Sequence, residues 1–544
     1  MSSQRSPRLA VVGLDGATFR VLDPLVRAGV MPALEGLIAR GSAGSLTSTV
    51  PTYTPPAWIS MTTGVNPGKH GIFGFLSTTA QDDTSLVAHS GLIGAPSLWD
   101  YANHNGLRMG VFNVPMTYPP TPVEGFMISG GLAAGWTNTE MPNFSSDPDS
   151  GLLALKIGGG HYPLDTVVSY ENDWKGSAAI KKIEEVQRLR RRVLKGLLME
   201  REVDAVFAVF EGPDRLQHLH YQYLVPFSGW YDRPEAGEMR DLANSYFTEV
   251  DRGIADIAEW AGDDGHVIVV SDHGFGPWEK TLNVNLLLNE WGYLKLPNLS
   301  KLTRLRPISG KAQQVARRVL PRRVLQAAKA RVGRAISWNE TSAFASHVAE
   351  QGIHVNTRAD LPKGWLNAAR AERVQNELVE RLLSLTDDSD SAPVVDKVVR
   401  RAEVIHGSYA SRAPHLFPFC RDQRYELSDT LAASSILTDH RDRPWGYHHS
   451  DGIFVAAGPG VVAGRLQAAP HIVDVAPTVL HLLGLGIPES LDGHVITEAL
   501  SGSAAHEPRV GEELQPHEPT SEYPFSPEEE ESIEENLRAL GYVE

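Results

Sequence analysis

The chain has 544 residues, of which 42% are apolar and 21% charged, so it is long enough for a large core and has the composition of a globular protein rather than a disordered one. Its formal net charge of −16 argues against a protein that binds duplex nucleic acid over its whole surface. Cys420 is the single cysteine, which excludes an intramolecular disulfide and a metal cluster bound by thiolates.

Neither an export signal nor a membrane span is indicated. The first apolar run, residues 9–14, is too short for the apolar region of a signal peptide. The longest apolar-looking stretch, residues 471–488, is interrupted by Asp474 and Pro477. We therefore expect a soluble, cytoplasmic protein without a transmembrane segment.

The run at residues 9–14 predicts a buried parallel strand that stops at Asp15 and Gly16. Functional side chains of open α/β sheets gather beyond the carboxyl ends of strands. Asp15 is thus either a carboxylate of a functional site or an ordinary turn residue before glycine.

Residues 48–75 contain a hydroxyl at the start of a predicted helix. Thr54 precedes Pro55 and Pro56 and a short apolar run, so we expect it at the N-cap position, among free backbone N–H groups. A phosphate bound at that helix end would lie near the Thr54 oxygen, because helix N-termini carry partial positive charge. Taken alone, the pattern favours a cap over a nucleophile.

Residues 152–200 are polar, with apolar residues at helical spacing. Such a helical insertion between strands predicts a lid or cap whose arginines form a solvated face. The next apolar run, residues 204–210, predicts a second buried strand that leads into a helix beginning at Pro213.

Asp214 and His218 stand four residues apart, so on that helix they project from one face and can reach one ion. Pairs of this spacing are also common on helix surfaces. A third apolar run, residues 267–270, ends at Asp272 and His273, and the glycines that follow let the backbone approach closely. This strand end indicates a metal site more strongly than a simple turn.

Residues 291–338 are predicted as a basic helical insertion. Eleven lysines and arginines lie within residues 301–334, and no acidic residue lies between Trp291 and Trp338. This insertion could contact an anionic substrate, a membrane surface or a nucleic acid, or it could be a solvated helical face.

Alternating strands and helices resume over residues 341–500, and His448 and His449 stand just before the apolar run at residues 452–457. Residues 501–544 form an acidic tail with a short terminal helix. The carboxylates, imidazoles and hydroxyl beside the strand ends are oxygen and nitrogen ligands that suit zinc or manganese. Two such ions roughly 4 Å apart could bind the attacking and leaving oxygens of a phosphoryl transfer.

Several stretches occur together in one order along the chain. They are VVGLDG at 11–16, VPTYTPPAW at 50–58, TGVNPGKHGIFGF at 63–75, PDRLQH at 213–218, SDHGFGP at 271–277, YHHSDGIFVAAGPGV at 447–461 and DVAPTVLHLLGLGIPESLDG at 474–493. This combination resembles the alkaline phosphatase superfamily, and within it the type I phosphodiesterase/nucleotide pyrophosphatase family. The resemblance implies an α/β catalytic domain over residues 8–500, with a mostly parallel central sheet flanked by helices and interrupted by helical insertions.

The resemblance also implies two divalent metal ions, zinc or alternatively manganese, and a covalent phosphothreonine intermediate. It assigns one ion to Asp15, Thr54, Asp272 and His273, with Thr54 as nucleophile, and the other to Asp214, His218 and His448. The resemblance also favours His448 over His449, because the family's spacing to the strand that begins near Gly452 matches His448.

Phe75 stands where many nucleotide pyrophosphatases of this family have an asparagine that binds a phosphate oxygen, so a nucleotide substrate is not implied. From the resemblance we expect a phosphodiesterase acting on a small phosphorylated substrate, either a phosphate diester or a nucleotide-like molecule. The alternatives are a phosphomonoesterase, a phosphotransferase or mutase of the same superfamily, and a non-catalytic binding protein that uses the basic insertion and the acidic tail. The oligomeric state is not predicted.

Overall fold

A computed structural model describes residues 8–77, 86–130, 142–166, 168–169, 173–296, 336–346, 351–515 and 524–539. Most of the basic insertion predicted at 291–338 lies outside these residues, as does part of the acidic tail. Among the described residues, no helix combines the length and apolar character that a membrane crossing requires.

The strands, in chain order, are β1 Leu9–Leu14, β2 Ser42–Thr47, β3 Met109–Phe112, β4 Phe126–Ile128, β5 Ala205–Phe210, β6 His266–Val270, β7 Gly274–Pro277, β8 Lys280–Asn283, β9 Ala343–Ala345, β10 Ile353–Val355, β11 Val395–Arg400, β12 Leu416–Cys420, β13 Tyr425–Ser428, β14 Leu437–Asp439, β15 Gly446–His449, β16 Asp451–Ala457 and β17 Gly464–Arg465. The helices are α1 Phe19–Arg27, α2 Pro32–Arg40, α3 Thr54–Thr63, α4 Pro67–His70, α5 Leu98–His104, α6 Pro148–Ile157, α7 Ala178–Glu200, α8 Gly212–Leu224, α9 Ala236–Ala261, α10 Val284–Glu290, α11 Ala368–Leu383, α12 Arg401–Val404, α13 Val475–Leu482 and α14 Pro527–Ala539.

The central sheet has eight strands in the order β17-β2-β16-β6-β1-β5-β3-β4. β1 lies near its middle and pairs in parallel with β5 and β6. β16 is antiparallel to both of its neighbours, and the other pairs are parallel. The predicted α/β class with a mostly parallel sheet is therefore confirmed.

The central strands are apolar on both faces because helices cover both faces of the sheet. In β1, Ala10, Val12 and Leu14 pack in one buried cluster, whereas Leu9 and Val11 pack in another on the opposite side. This alternation is the period of two that a strand imposes on its side chains. The run of residues 9–14 therefore predicted its strand with the observed bounds.

The long helix of the segment at 152–200, α7, packs beside α9 in the main core. Ile183 and Leu197 are buried there. Arg190 is also buried, with 2% of its side chain exposed, and it forms an ion pair with Glu211 at 2.7 Å. The prediction of a solvated arginine face is thus wrong for Arg190, because this position faces the core.

Described residues between 280 and 439 form a second body of structure, here called the inserted lobe. It contains a four-stranded sheet, β11-β12-β10-β9, and a three-stranded sheet, β13-β8-β14. Its buried cluster includes Leu282, Val355, Leu378 and Leu416 and has no member in common with the clusters on the central sheet. The sequence analysis had not separated this lobe from the catalytic domain.

We expect Leu378→Ala to destabilise the inserted lobe by about 2–5 kcal/mol, because it leaves a cavity in that lobe's core. Leu378 is fully buried in α11, whereas Leu383 on the same helix is 44% exposed, so Leu383→Ala is the matched control with an expected change within about 0.5 kcal/mol. Amide hydrogen exchange should show lost protection in the lobe alone. An equal loss in the central sheet would contradict a separate core.

Candidate metal centre

The carboxyl ends of three adjacent strands bring the predicted residues to one edge of the central sheet. Asp15 follows β1, and Asp272 and His273 follow β6. Asp214 lies in the first turn of α8, the helix that follows β5, and its carboxylate oxygen Oδ1 lies 3.3 Å from Nε2 of His218 one turn later. The predicted pair on one helix face is therefore close enough to bind one ion.

The first group of ligand atoms comes from Asp15, Asp272 and His273, which lie close together and are buried. His273 Nε2 lies 3.3 Å from Asp272 Oδ2 and 3.7 Å from Asp15 Oδ1. Thr54 Oγ1 lies 3.3 Å from the same imidazole nitrogen. These four residues thus surround one small volume.

The second group comes from Asp214, His218 and His448. Asp214 Oδ1 lies 3.4 Å from His448 Nε2, and the two imidazole Nε2 atoms are 3.0 Å apart. The ring of His448 stacks on that of His273 with centroids 3.8 Å apart, so the second group adjoins the first. The structure therefore brings all seven predicted site residues together.

His449 points away from this centre. Its Nε2 lies 3.4 Å from an Arg20 nitrogen, and its Nδ1 contacts Asp451. His448 and His449 are neighbours on β15, and successive side chains of a strand point to opposite faces. This geometry separates two adjacent imidazoles that spacing alone left open.

Thr54 is the first residue of α3 rather than its N-cap, which is Tyr53. No side-chain hydrogen bond caps this helix, so the Thr54 hydroxyl does not serve as a cap. The expectation of several free N–H groups is wrong as well: Pro55 and Pro56 have none, and the N–H of Ala57 donates to Tyr53. An anion at this helix end thus needs positive charge from elsewhere.

Burial raises the pKa of Asp15 well above its ordinary value, and the neighbouring carboxylates of Asp272 and Asp214 raise it further. The pKa of Asp272 is raised too, chiefly by burial. For Asp214, burial acts in the same direction, but the adjacent imidazole of His218 and the guanidinium of Arg215 contribute to lowering its pKa well below the ordinary value. Ionised carboxylates at Asp15 and Asp272 are therefore costly unless a cation lies beside them.

The donor atoms fit a divalent metal ion. Asp15 Oδ1 and Asp272 Oδ2 are buried and have no hydrogen-bond partner among the described residues. A buried carboxylate oxygen without a hydrogen-bond partner is costly, and both of these oxygens belong to the first group of ligand atoms. Oxygen and imidazole nitrogen without thiolate suit zinc and manganese, as expected from the sequence.

The sequence analysis missed three donors that bind the outer oxygens of the site carboxylates. They are Trp58 Nε1 to Asp15 Oδ2 at 3.1 Å, the Gly16 N–H to Asp272 Oδ1 at 3.0 Å, and an Arg215 nitrogen to Asp214 Oδ2 at 2.8 Å. Each donor lies within a stretch that carried the resemblance. Trp58 also stands one helical turn after Thr54, a spacing that could have drawn attention to it.

The mostly parallel sheet agrees with the fold of the alkaline phosphatase superfamily, whose members are metal-dependent, and both groups lie at the carboxyl edge of that sheet. The family model for type I phosphodiesterase / nucleotide pyrophosphatase matches residues 9–416. The chain therefore belongs to this family and hydrolyses phosphoric ester bonds in small phosphorylated substrates.

The chain is also similar to two solved structures of phosphonoacetate hydrolase from Sinorhizobium meliloti 1021, one in complex with phosphonoformate and one with phosphonoacetate. Each is 17% identical, and each alignment covers 88% of this chain and 95% of that chain. The TM-scores are 0.48 and 0.47. No curated protein matches the chain.

Proposed function

We propose that this chain is a two-metal phosphodiesterase with Thr54 as its nucleophile. The observation that carries the proposal is the position of the Thr54 hydroxyl: it is buried at the start of α3, it caps no helix, and it lies 3.3 Å from Nε2 of His273. A buried hydroxyl that caps no helix and adjoins two groups of candidate ligand atoms supports a role for Thr54 as the nucleophile.

The proposed ligands of one ion are Asp15, Thr54, Asp272 and His273, and those of the other are Asp214, His218 and His448. The proposed metal is zinc, with manganese as the alternative. When bound, such ions lower the pKa of a hydroxyl or water and balance negative charge on phosphoryl oxygens.

The steps of the chain's own residues follow from this arrangement. The Thr54 oxygen gives up its proton and attacks phosphorus, so that a new P–O bond forms while the bond to the leaving alcohol breaks and that alcohol takes up a proton. Water then attacks the phosphorus, the bond to Thr54 breaks, one proton of the water returns to the Thr54 oxygen, and the phosphate monoester is released. The Thr54 oxygen lies beside His273, and the buried carboxylates of Asp15 and Asp272 adjoin the same imidazole.

A cleft beside the site favours a diester over a monoester. It runs from His448 and Tyr447 to Phe417, Phe419 and Tyr425 of the inserted lobe. The described residues that line it include no lysine or arginine. A monoester has one more negative charge than a diester to balance, whereas an aromatic wall suits an organic group on the phosphorus.

The test compares bis-p-nitrophenyl phosphate with p-nitrophenyl phosphate at equal metal loading. We expect kcat/KM for the diester to exceed that for the monoester by at least about tenfold, because the second organic group has a cleft to occupy. A p-nitrophenol release assay measures both rates. Faster hydrolysis of the monoester would contradict the diester preference, and formation of a new ester with an added alcohol would indicate phosphoryl transfer instead.

A further inference from the structure

The outer oxygens of the three site carboxylates have donors of different kinds. Asp15 accepts from the neutral indole of Trp58, and Asp272 accepts from a neutral backbone N–H. Asp214 accepts from the guanidinium of Arg215 at 2.8 Å. Only the carboxylate of the second group, among these three, accepts its hydrogen bond from a charged side chain.

Arg215 is fixed from both sides. Its side chain is 3% exposed, its Nη1 contacts Asp214, and its Nη2 contacts Asp165 at 3.4 Å. Asp165 is itself buried, with 4% of its side chain exposed. A planar guanidinium that donates to two carboxylates has a defined orientation, and it imposes an orientation on each of them.

We propose that Arg215 is a positioning residue for Asp214 and sets the affinity of the second group of ligand atoms for its ion. By binding Oδ2, Arg215 leaves Asp214 Oδ1 directed at the Nε2 atoms of His218 and His448. Trp58 has the corresponding role for Asp15 in the first group. This inference rests on the proposed function in one respect, that each group binds an ion.

The test counts zinc ions per chain while a chelator competes for them. Arg215→Met is expected to weaken the second group's ion by about 10- to 100-fold, the usual cost of removing a residue that orients a ligand, and to leave the first group's ion unchanged. Trp58→Phe is expected to do the reverse. Asp272→Ala and His218→Ala, which each remove one ligand, identify which ion belongs to which group.

Arg190→Met is the matched control. Arg190 is as buried as Arg215 and pairs with a carboxylate at 2.7 Å, but that partner is Glu211 and not a site residue. This variant loses the same charge and similar volume, so we expect comparable destabilisation with both zinc affinities unchanged. If Arg215→Met does not fold, Asp165→Asn replaces it: that variant keeps Arg215, loses its second partner, and is expected to weaken the second ion alone.

The outcomes separate this inference from the proposed function. The inference is overturned if Arg215→Met changes the affinity for neither ion or for both ions equally, or if Arg190→Met has the same effect as Arg215→Met. In those cases the proposed function still stands, provided that the wild-type chain binds two ions and cleaves the diester. If Arg215→Met weakens the second ion alone but the wild-type chain cleaves no diester, the inference is supported and the proposed function is overturned. A wild-type chain that binds fewer than two ions overturns both.

Discussion

Thr54→Ala is expected to lower kcat/KM for diester hydrolysis by at least about 10³-fold at saturating zinc, where Asp15, Asp272 and His273 remain to bind the first ion and the second ion keeps all its proposed ligands. The reason is that alanine has no oxygen to form the bond to phosphorus. The fold should tolerate the change, because the hydroxyl is buried at the first residue of α3 and makes no capping hydrogen bond. Steady-state kinetics and metal analysis of the same preparation measure both quantities.

A second measurement concerns the intermediate. Acid quenching of the wild-type enzyme during turnover should yield protein in which Thr54 is covalently bound to the phosphoryl group with its remaining ester substituent, and Thr54→Ala should yield none. Thr63→Ala is the control, because Thr63 is equally buried in α3 but donates its hydroxyl hydrogen to the carbonyl of Ile59. Its activity should stay within about threefold of wild type, since it contacts no reacting group. Near-normal activity of Thr54→Ala would show that this hydroxyl is only structural.

The central strands could be predicted from sequence because their burial is uniform. Residues 9–14, 205–210 and 267–270 are apolar on both faces, so their runs are continuous, and each run ends at a buried polar residue. Asp15, Asp272 and His273 follow directly from those ends. For such residues, a place directly after an apolar run in the sequence predicts a place at a strand end in the fold.

The inserted lobe could not be predicted in this way. Its strands are three to six residues long, and several are too short to show a period of two. Their pairing is long-range: Leu282 of β8 is paired with Leu427 of β13 on one side and with Leu437 of β14 on the other. Local sequence preference contains no information about such partners.

The second group of ligand atoms shows the same limit. His448 reaches the site because β15 pairs with β7, which places it opposite Phe275, about 170 residues earlier in the chain. Only the family resemblance had distinguished His448 from His449. The role of Arg215 was equally hidden, since an arginine beside an aspartate in a helix is usually a surface residue. The loss of N–H donors at Pro55 and Pro56, in contrast, was readable from the sequence.

Removing the metal ions with a chelator is expected to reduce diester hydrolysis by at least about 10³-fold, with recovery on addition of zinc or manganese. The structural reason is that little other positive charge is available to a bound phosphate: prolines remove N–H donors at the start of α3, the described residues that line the cleft include no lysine or arginine, and the Arg215 guanidinium is paired with Asp214 and Asp165. Rates after chelation and after reconstitution measure the effect. Full activity in metal-free protein would contradict the site assignment.

Metal removal should also change how stability depends on pH. In the folded, metal-free chain the pKa values of Asp15 and Asp272 are raised, so these groups favour the folded state below their ordinary pKa and this contribution is lost as the pH rises through the raised values. Asp15→Asn removes one of the two charges. At pH 8 without metal, its free energy of unfolding should therefore exceed that of wild type by at least about 1 kcal/mol, the equivalent of a shift of one pKa unit.

With zinc present the order should reverse, because wild type gains the free energy of binding an ion that the variant has lost a ligand for. Denaturant unfolding with and without zinc measures both orders, and a wild-type chain that is the more stable of the two without metal would show that some other group balances the charge of Asp15.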